Sequence, residues 1–177
     1  TCISLDLEGQ CCITGSSDTT AIVWELAGGA RAQDTGPAPR VAQVLYGHDL
    51  PVTSVAISVC LDLAASGSKD GTVNVHTVKD GQYLRTLRPS SHRPSFTVEQ
   101  LALSCQGHVI FSGHDTDSHS LHVFTLNGRH LGSVNISHRV TGLLTSGDKI
   151  LSGDENGDLV LRDLYSQATL TCLPLQL

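Results

Sequence analysis

A stretch of ten residues holds the densest group of potential metal ligands in this sequence. Residues 113–122 read GHDTDSHSLH and contain three histidines and two aspartates. Imidazole and carboxylate groups are ligands that zinc accepts, and a zinc site needs three or four of them converging on one point. The stretch is therefore either a metal site or a polar turn of a repeat, and the elements around it have to decide between the two.

Elsewhere, the patterns that would carry chemistry are incomplete. The run DENGD (154–158) begins like a calcium-binding loop, but that loop needs Gly at its sixth position and Glu at its twelfth, where Leu159 and Tyr165 stand. The sequence contains no G-x-S-x-G elbow, P-loop or H-E-x-x-H motif. We therefore expect no catalytic residues, no cofactor and no enzymatic activity.

The bulk composition excludes further classes of protein. The chain has 177 residues, of which 40% are hydrophobic, and is long enough for a sizeable core. Its net charge of −6 argues against nucleic-acid binding, which needs clustered Lys and Arg. No apolar run is long enough to span a bilayer. The six cysteines form no C-x-x-C pair, so we expect buried, reduced thiols of a cytosolic protein.

Four segments of the sequence align as copies of one repeat. Each has a small residue and a glycine, then a polar turn, then an alternating strand; the segments are 14–26, 66–78, 112–126 and 152–164. Two strand-like runs precede each segment's turn and another follows its last strand, which gives four strands in roughly 40 to 45 residues. The first unit also contains a Gly- and Pro-rich insertion at 27–40. These patterns predict an all-β fold.

The repeat assigns the histidine-rich stretch to a turn. Aligning Gly113 with Gly15 and Gly67 places residues 115–118 in the turn and 121–124 on the third strand. His119 and His122 are three residues apart, and such residues point to opposite faces of a strand. His114, Asp115 and His119 remain the candidates for a loose site, but a solvated polar turn is favoured. We predict that the chain carries no stoichiometric metal.

The repeat resembles that of WD40 proteins. In that family a His from a Gly-His pair, a Ser or Thr on the second strand, an Asp in the following turn and a Trp on the third strand form a hydrogen-bonded set. The matching residues are Thr14, Asp18 and Trp24 in the first unit and His48, Ser66 and Asp70 in the second. His76, Phe124 and Arg162 stand at the Trp position of the later units, so no unit holds the whole set.

The WD40 resemblance implies a β-propeller of about four blades, within a ring of about seven. The predicted blades cover about 1–46 with the insertion at 27–40, then 47–88, 97–136 and 138–174. We expect the chain to be only part of the ring and to expose two apolar blade faces. Trp24 is predicted to be a blade-core residue, whose truncation to alanine would cost about 3 to 5 kcal/mol.

A narrower resemblance rests on the runs at 46–58, 66–89 and 121–133, and above all on His-Thr-Val (76–78) and GQYLRTLRP (81–89). These runs are similar to the C-terminal propeller of BEACH-domain proteins of the neurobeachin and neurobeachin-like group. The resemblance implies a large cytosolic scaffold in vesicle and membrane-protein traffic, peripheral on endomembranes, whose contact with membranes is indirect. It implies no catalytic residues, and the BEACH and PH-like domains of that family have no counterpart within these residues.

Partner recognition is expected in the connections between strands, because propeller strands use their side chains for packing. The unusual connections are 27–40, 89–97 and the widened turn 114–119. The second, with Arg88, His92 and Arg93, is the candidate loop for an acidic or phosphorylated protein partner. Two alternatives stay open: a WD40 piece of an unrelated ubiquitin-ligase or signalling adaptor, and a metal-binding domain around His114–His122.

Overall fold

The computed structural model describes residues 1–26, 38–89, 95–116 and 118–173. Within these ranges, sixteen strands form four antiparallel sheets. Blade 1 contains β1 (Cys2–Leu5), β2 (Cys11–Gly15), β3 (Ala21–Glu25) and β4 (Arg40–Leu45). Blade 2 contains β5 (Val52–Ser58), β6 (Leu63–Ser68), β7 (Val73–His76) and β8 (Tyr83–Leu87). Blade 3 contains β9 (Thr97–Leu103), β10 (His108–His114), β11 (His119–Thr125) and β12 (His130–Ile136). Blade 4 contains β13 (Val140–Ser146), β14 (Lys149–Asp154), β15 (Leu159–Asp163) and β16 (Thr169–Leu173).

Each blade is a meander whose four strands pair in chain order. Glycines with positive φ allow the tight turns between second and third strands, as at Gly71 (φ 78°) and Gly157 (φ 87°). The first strands of the four blades, β1, β5, β9 and β13, lie side by side and form the inner wall of the arrangement. The predicted all-β fold of four-stranded, WD40-type blades is confirmed.

The core consists of three clusters of buried side chains, one between each pair of consecutive blades. Ile13 of blade 1 contributes to the first cluster, Phe111 of blade 3 to the second, and Ile110, its neighbour in sequence, to the third. Blades 2 and 3 are thus covered on both faces. For this reason β6 and β10 are buried along almost their whole length and do not alternate between buried and exposed residues.

Antiparallel pairing sorts the connections to two edges of the blades. The turn between second and third strands lies at the same edge as the connection to the next blade, which we call the upper edge. His114 and His119 at the ends of the widened turn, and Pro89 and Thr97 at the ends of the connection between blades 2 and 3, therefore share the upper edge. Glu25 and Arg40, which end β3 and begin β4, lie at the opposite, lower edge, where Arg40 Nε is 2.6 Å from Glu25 Oε2. Residues 27–37 and 90–94 lie outside the described ranges.

The expectation of buried thiols is wrong for most of the cysteines. All six are free, but only Cys12 is buried. Cys60 and Cys105 lie in turns and Cys172 lies on the outermost strand of blade 4, so all three are exposed. A separate finding concerns membranes: none of the described residues forms a helix long and apolar enough to cross one.

The outward faces of blades 1 and 4 carry exposed apolar side chains. Register places Ile3, Leu5, Val41 and Val44 on the face of blade 1 that is turned away from blade 2. Leu144, Leu159 and Leu173 share the corresponding face of blade 4. Ile3 is 72% exposed and Leu144 is 67% exposed, although both lie on innermost strands. Contiguous apolar surface of this kind favours association.

We expect the isolated 177-residue chain to self-associate through these two faces. Sedimentation velocity should show concentration-dependent association that the double variant Ile3→Lys/Leu144→Lys weakens. The matched control is Leu7→Lys, because Leu7 is 96% exposed but lies in a turn outside the sheet faces. A wild-type chain that stays monomeric at high concentration would contradict this expectation.

Candidate functional site

The polar residues predicted in blade 2 form a buried network at the upper edge. His48 Nδ1 is 3.0 Å from Asp70 Oδ2, and His48 Nε2 is 2.9 Å from the Ser66 hydroxyl. Thr72, which the sequence analysis did not select, donates its hydroxyl to Asp70 Oδ1 at 2.6 Å. The network ties the connection before β5 to the second strand and to the β6–β7 turn, so its geometry is that of a structural tie.

Hydrogen bonding controls the charge of Asp70. Burial by itself would raise the pKa of this carboxyl, but the hydrogen bonds from His48, from Thr72 and from the backbone N–H of Asp49 outweigh it. The pKa of Asp70 is therefore well below its usual range. The carboxylate stays charged at neutral pH and holds the imidazole in one orientation.

The order Asp70, His48, Ser66 matches that of a hydrolase triad. Unlike a hydrolase triad, this set is closed to solvent, because Ser66 is only 2% exposed and His48 only 8% exposed. A substrate carbonyl cannot reach a hydroxyl that is enclosed between two blades. The arrangement stabilises blade 2 and does not present a nucleophile.

The hydroxyl on the second strand is also used in blades 1 and 4. The Trp24 indole N–H donates to Thr14 Oγ1 at 2.9 Å. In blade 4, Arg162 stands at the Trp position, and its guanidinium donates to Ser152 Oγ at the same distance. Asp18 takes no part in this contact, because its exposed carboxylate accepts hydrogen bonds from Thr20 instead. A guanidinium thus replaces the indole as donor to the hydroxyl.

Blade 3 departs from the alignment made on the glycines. The residue that follows the bulge of the first strand pairs with Gly67 in blade 2 and with Gly153 in blade 4. In blade 3 the corresponding residue pairs with Ser112. Gly113 therefore lies one position later than the other glycines. The alignment of Gly113 with Gly15 and Gly67 is wrong by one residue, because the widened turn absorbs the extra residue.

The shift places an aromatic residue at the hydroxyl position of blade 3. Phe111 stacks on Phe124 with ring centroids 5.5 Å apart, and His122 lies 5.4 Å from Phe111. Phe96 packs edge-on against His122. In blade 3, packed aromatic rings that face blade 2 stand where blade 2 has its hydrogen-bonded polar residues. A Gly-His pair is therefore not needed in this unit.

Trp24 is half-buried in the structure, and its expected role as a blade-core residue stays a prediction. It lies on the outward face of blade 1 together with Leu5. Phe124, at the same position of blade 3, is 3% exposed because blade 2 covers it. The same repeat position therefore has a different burial in the two blades.

We predict that Phe124→Ala destabilises the chain by about 3 to 5 kcal/mol, whereas Trp24→Ala costs roughly half as much because less area is lost from the core. Urea unfolding of both variants measures the difference. The control is Tyr46→Ala, which removes a 67% exposed ring and should change little. Equal losses for Phe124 and Trp24 would mean that the outward face of blade 1 is covered.

His122 makes the stability of blade 3 sensitive to acid. Burial, together with the charge of nearby His130, lowers the pKa of His122 to about 4. An imidazole in the unfolded chain titrates near pH ~6.5. Between these values the unfolded chain binds more protons than the folded one, so the free energy of unfolding falls as the pH falls from about 6.5 towards 4.

Between pH 7 and pH 5 the wild-type chain should lose about 2 kcal/mol of its free energy of unfolding through His122. We expect His122→Phe to abolish this part of the loss. Urea unfolding at both pH values measures this loss. Burial also lowers the pKa of His76, so part of the acid sensitivity should remain in the variant. His138→Phe is the control because His138 is exposed. An unchanged loss in His122→Phe would contradict the prediction.

A threonine near the start of the inner strand ties blade 1 to blade 2 and blade 2 to blade 3. Thr1 Oγ1 lies 2.6 Å from the Val52 carbonyl oxygen, and Thr53 Oγ1 lies 2.6 Å from that of Val98. Thr141 occupies the same position in blade 4 and donates to the Gly153 carbonyl within its own blade. In blade 3 this position is Glu99, which register places in the bulge between Val98 and Gln100.

Glu99 brings together the residues that the opening stretch suggested as ligands. Its carboxylate lies 3.1 Å from His114 Nδ1 and 4.0 Å from His119 Nδ1. Within the described ranges, these three side chains are the one group whose ligand atoms all lie within 4.8 Å of one another. Asp115, the third candidate from the sequence, instead accepts a hydrogen bond from Ser95. The sequence analysis missed Glu99, whose only signal was an acidic residue where other units have threonine.

Only part of the predicted partner loop lies within the residues that the structure describes. Arg88 is exposed at the upper edge, immediately after β8, and Pro89 behind it is buried. His92 and Arg93 lie outside the described ranges. The candidate loop thus leaves blade 2 at the same edge as the histidine-rich turn of blade 3, and Ser95 joins the two through its hydrogen bond to Asp115.

Comparison with known proteins agrees with this geometry. The family model described as the neurobeachin beta propeller domain matches residues 1–172. BEACH domain-containing protein B of Arabidopsis thaliana is 31% identical over 178 residues, which cover 92% of this chain and 7% of that protein. BEACH domain-containing protein lvsD of Dictyostelium discoideum is 33% identical over 52% of this chain. The chain thus spans a small part of the curated relatives it matches.

A relative of a different kind is the guanine nucleotide-binding protein subunit beta of Arabidopsis thaliana, which is 27% identical over 83% of this chain and 38% of its own length. The four-stranded blades and these matches define a WD40-repeat β-propeller. Within that class, the chain belongs to the neurobeachin beta-propeller family.

Proposed function

We propose that this chain is a non-catalytic protein-interaction scaffold that serves a BEACH-type protein in vesicle and membrane-protein traffic. The observation that carries the proposal is the match of residues 1–172 to the neurobeachin propeller, together with relatives named as BEACH proteins. On this proposal the domain works at the cytoplasmic side of endomembranes, and its contact with the membrane is indirect, through partners or through other parts of the protein.

The arrangement of polar groups supports a scaffold over an enzyme. The two best-formed sets, around His48 and around Arg162, are enclosed between blades and hold strands together. The His48 ring nitrogens, the Ser66 hydroxyl and Arg162 Nη1 all take part in hydrogen bonds within the fold. What the blades leave for recognition is their edges, where connections differ from one blade to the next.

The upper edge of blades 2 and 3 is the surface we propose for a protein partner. Arg88 leads into a connection that also contains Arg93, and guanidinium groups pair well with carboxylate or phosphate. In a chain with a net charge of −6, such a local excess of arginine favours an acidic or phosphorylated segment of a partner. A signalling adaptor is the second candidate, supported by the similarity to the guanine nucleotide-binding protein subunit beta.

The test is affinity capture from cytosol with the complete propeller, comparing the wild type with Arg88→Glu/Arg93→Glu. We expect weaker, salt-sensitive capture of the wild type's partners and an unchanged melting temperature, because exposed charges contribute little to stability. Arg129→Glu is the control, since Arg129 is exposed in the turn between β11 and β12 at the lower edge. Identical partners and affinities in all three proteins would remove this loop as the binding surface.

A further inference from the structure

We propose that Glu99, His114 and His119 bind one zinc ion at the upper edge of blade 3. The site combines a carboxylate on the inner strand with two imidazoles from the facing ends of β10 and β11. His114 and His119 are direct cross-strand partners, so their side chains lie on the same face of the blade. The sequence alone predicted a metal-free chain, because it could not show Glu99 beside the two histidines. Zinc binding here does not depend on partner proteins.

The Nδ1 atoms of His114 and His119 lack hydrogen-bond partners. Both atoms are buried, and neither makes a hydrogen bond of suitable geometry in the structure. His114 Nδ1 is nevertheless only 3.1 Å from Glu99 Oε1. Buried polar nitrogens without a partner are costly, and a metal ion between them and the carboxylate would satisfy both.

The three ligand atoms lie within 4.8 Å of one another. Ligands of a tetrahedral zinc ion are roughly 3.3 Å apart, given metal–ligand bonds of about 2.0 to 2.2 Å. Small rotations of the two rings would close this gap, since His114 and His119 keep 41% and 30% of their side-chain surface exposed. Water would complete the coordination from the solvent side.

Glu99 differs from the residues at the same position of the other three blades. The matching residues in the other blades are threonines, whose hydroxyls hydrogen-bond to backbone carbonyls. Glu99 cannot donate in this way when ionised. Its side chain is nonetheless 93% buried, and a buried carboxylate needs compensating charge. The zinc ion would supply part of that charge.

Arg139 supplies another part and orients the carboxylate. Its Nε lies 2.6 Å from Glu99 Oε1, and it comes from the segment just before β13 of the next blade. Because Arg139 holds Oε1, Oε2 is the oxygen available to the metal. Hydrogen bonds of this kind commonly fix ligating carboxylates. The positive charge of Arg139 also opposes that of the metal, which lowers the affinity of the site.

Zinc is the metal that the ligand set favours. Two imidazoles and one carboxylate form a mixed nitrogen and oxygen set, which suits zinc and is poor for calcium or magnesium, whose ligands are oxygens. The bound ion would join the widened turn 114–119 to the inner strand. It would thereby set the shape of the upper edge beside the connection 89–97.

The experiment is a titration of the untagged 177-residue chain with zinc, using competition with a fluorescent zinc indicator. The exposed Cys60, Cys105 and Cys172 are replaced by serine in every protein, so that thiols do not contribute. We expect about one equivalent of zinc per chain and a rise in melting temperature on binding. Cobalt substitution should give a spectrum without a thiolate charge-transfer band.

Glu99→Thr is the decisive variant, because it restores the residue found in the other three blades and should preserve the fold. We expect Glu99→Thr and His114→Ala to weaken zinc binding roughly tenfold or more. His138→Ala, which removes an exposed histidine outside the group, should bind zinc like the wild type. Absence of saturable binding to the parent chain, or zinc binding by a folded Glu99→Thr variant equal to that of the parent, would overturn the proposal.

Discussion

The structure depends on the close approach of neighbouring inner strands. The first strands of blades 2 and 3 lie against a glycine at or near the end of the second strand of the preceding blade. A Cβ atom added to Gly15 would lie 2.5 Å from Val52 Cγ1, and one added to Gly67 would lie 2.5 Å from Val98 Cγ1. Since real contacts are never that short, glycine is required at both positions. The glycines of the repeat therefore mark junctions between blades as well as turns.

The same junctions explain why hydroxyl and donor groups recur in the repeat. Thr1, just before β1, and Thr53, at the bulge of β5, lie within hydrogen-bond distance of a carbonyl of the next blade, which pins strands that their apolar faces bring together. Within blades, the hydroxyl on the second strand is satisfied by an imidazole, an indole or a guanidinium. What the fold requires is a donor of suitable length, so residue identity can change while the contact persists.

The junction between blades 3 and 4 departs from this scheme at two positions. Ser112 replaces the glycine, and its buried hydroxyl has no hydrogen-bond partner. Glu99 replaces the threonine and forms an ion pair with Arg139 across the junction. Apolar packing through Ile110 and Val140 still holds the two blades together. The polar contact across this junction is thus an ion pair instead of a hydrogen bond from a threonine.

Sequence alone was sufficient for the periodic features. Alternation along the strands and the Gly-containing turns depend on local spacing, which is readable from residue types. The resemblance to WD40 repeats added the His48, Ser66 and Asp70 positions. The sequence could not reveal the offset of blade 3, because bulges and a widened turn change which residues face each other without changing the pattern of residue types. Nor could it place Glu99 beside His114 and His119, since these residues lie on different strands of blade 3. Only the pairing of β9 with β10 and β10 with β11, and the packing of blade 4 that adds Arg139, brings their charges together.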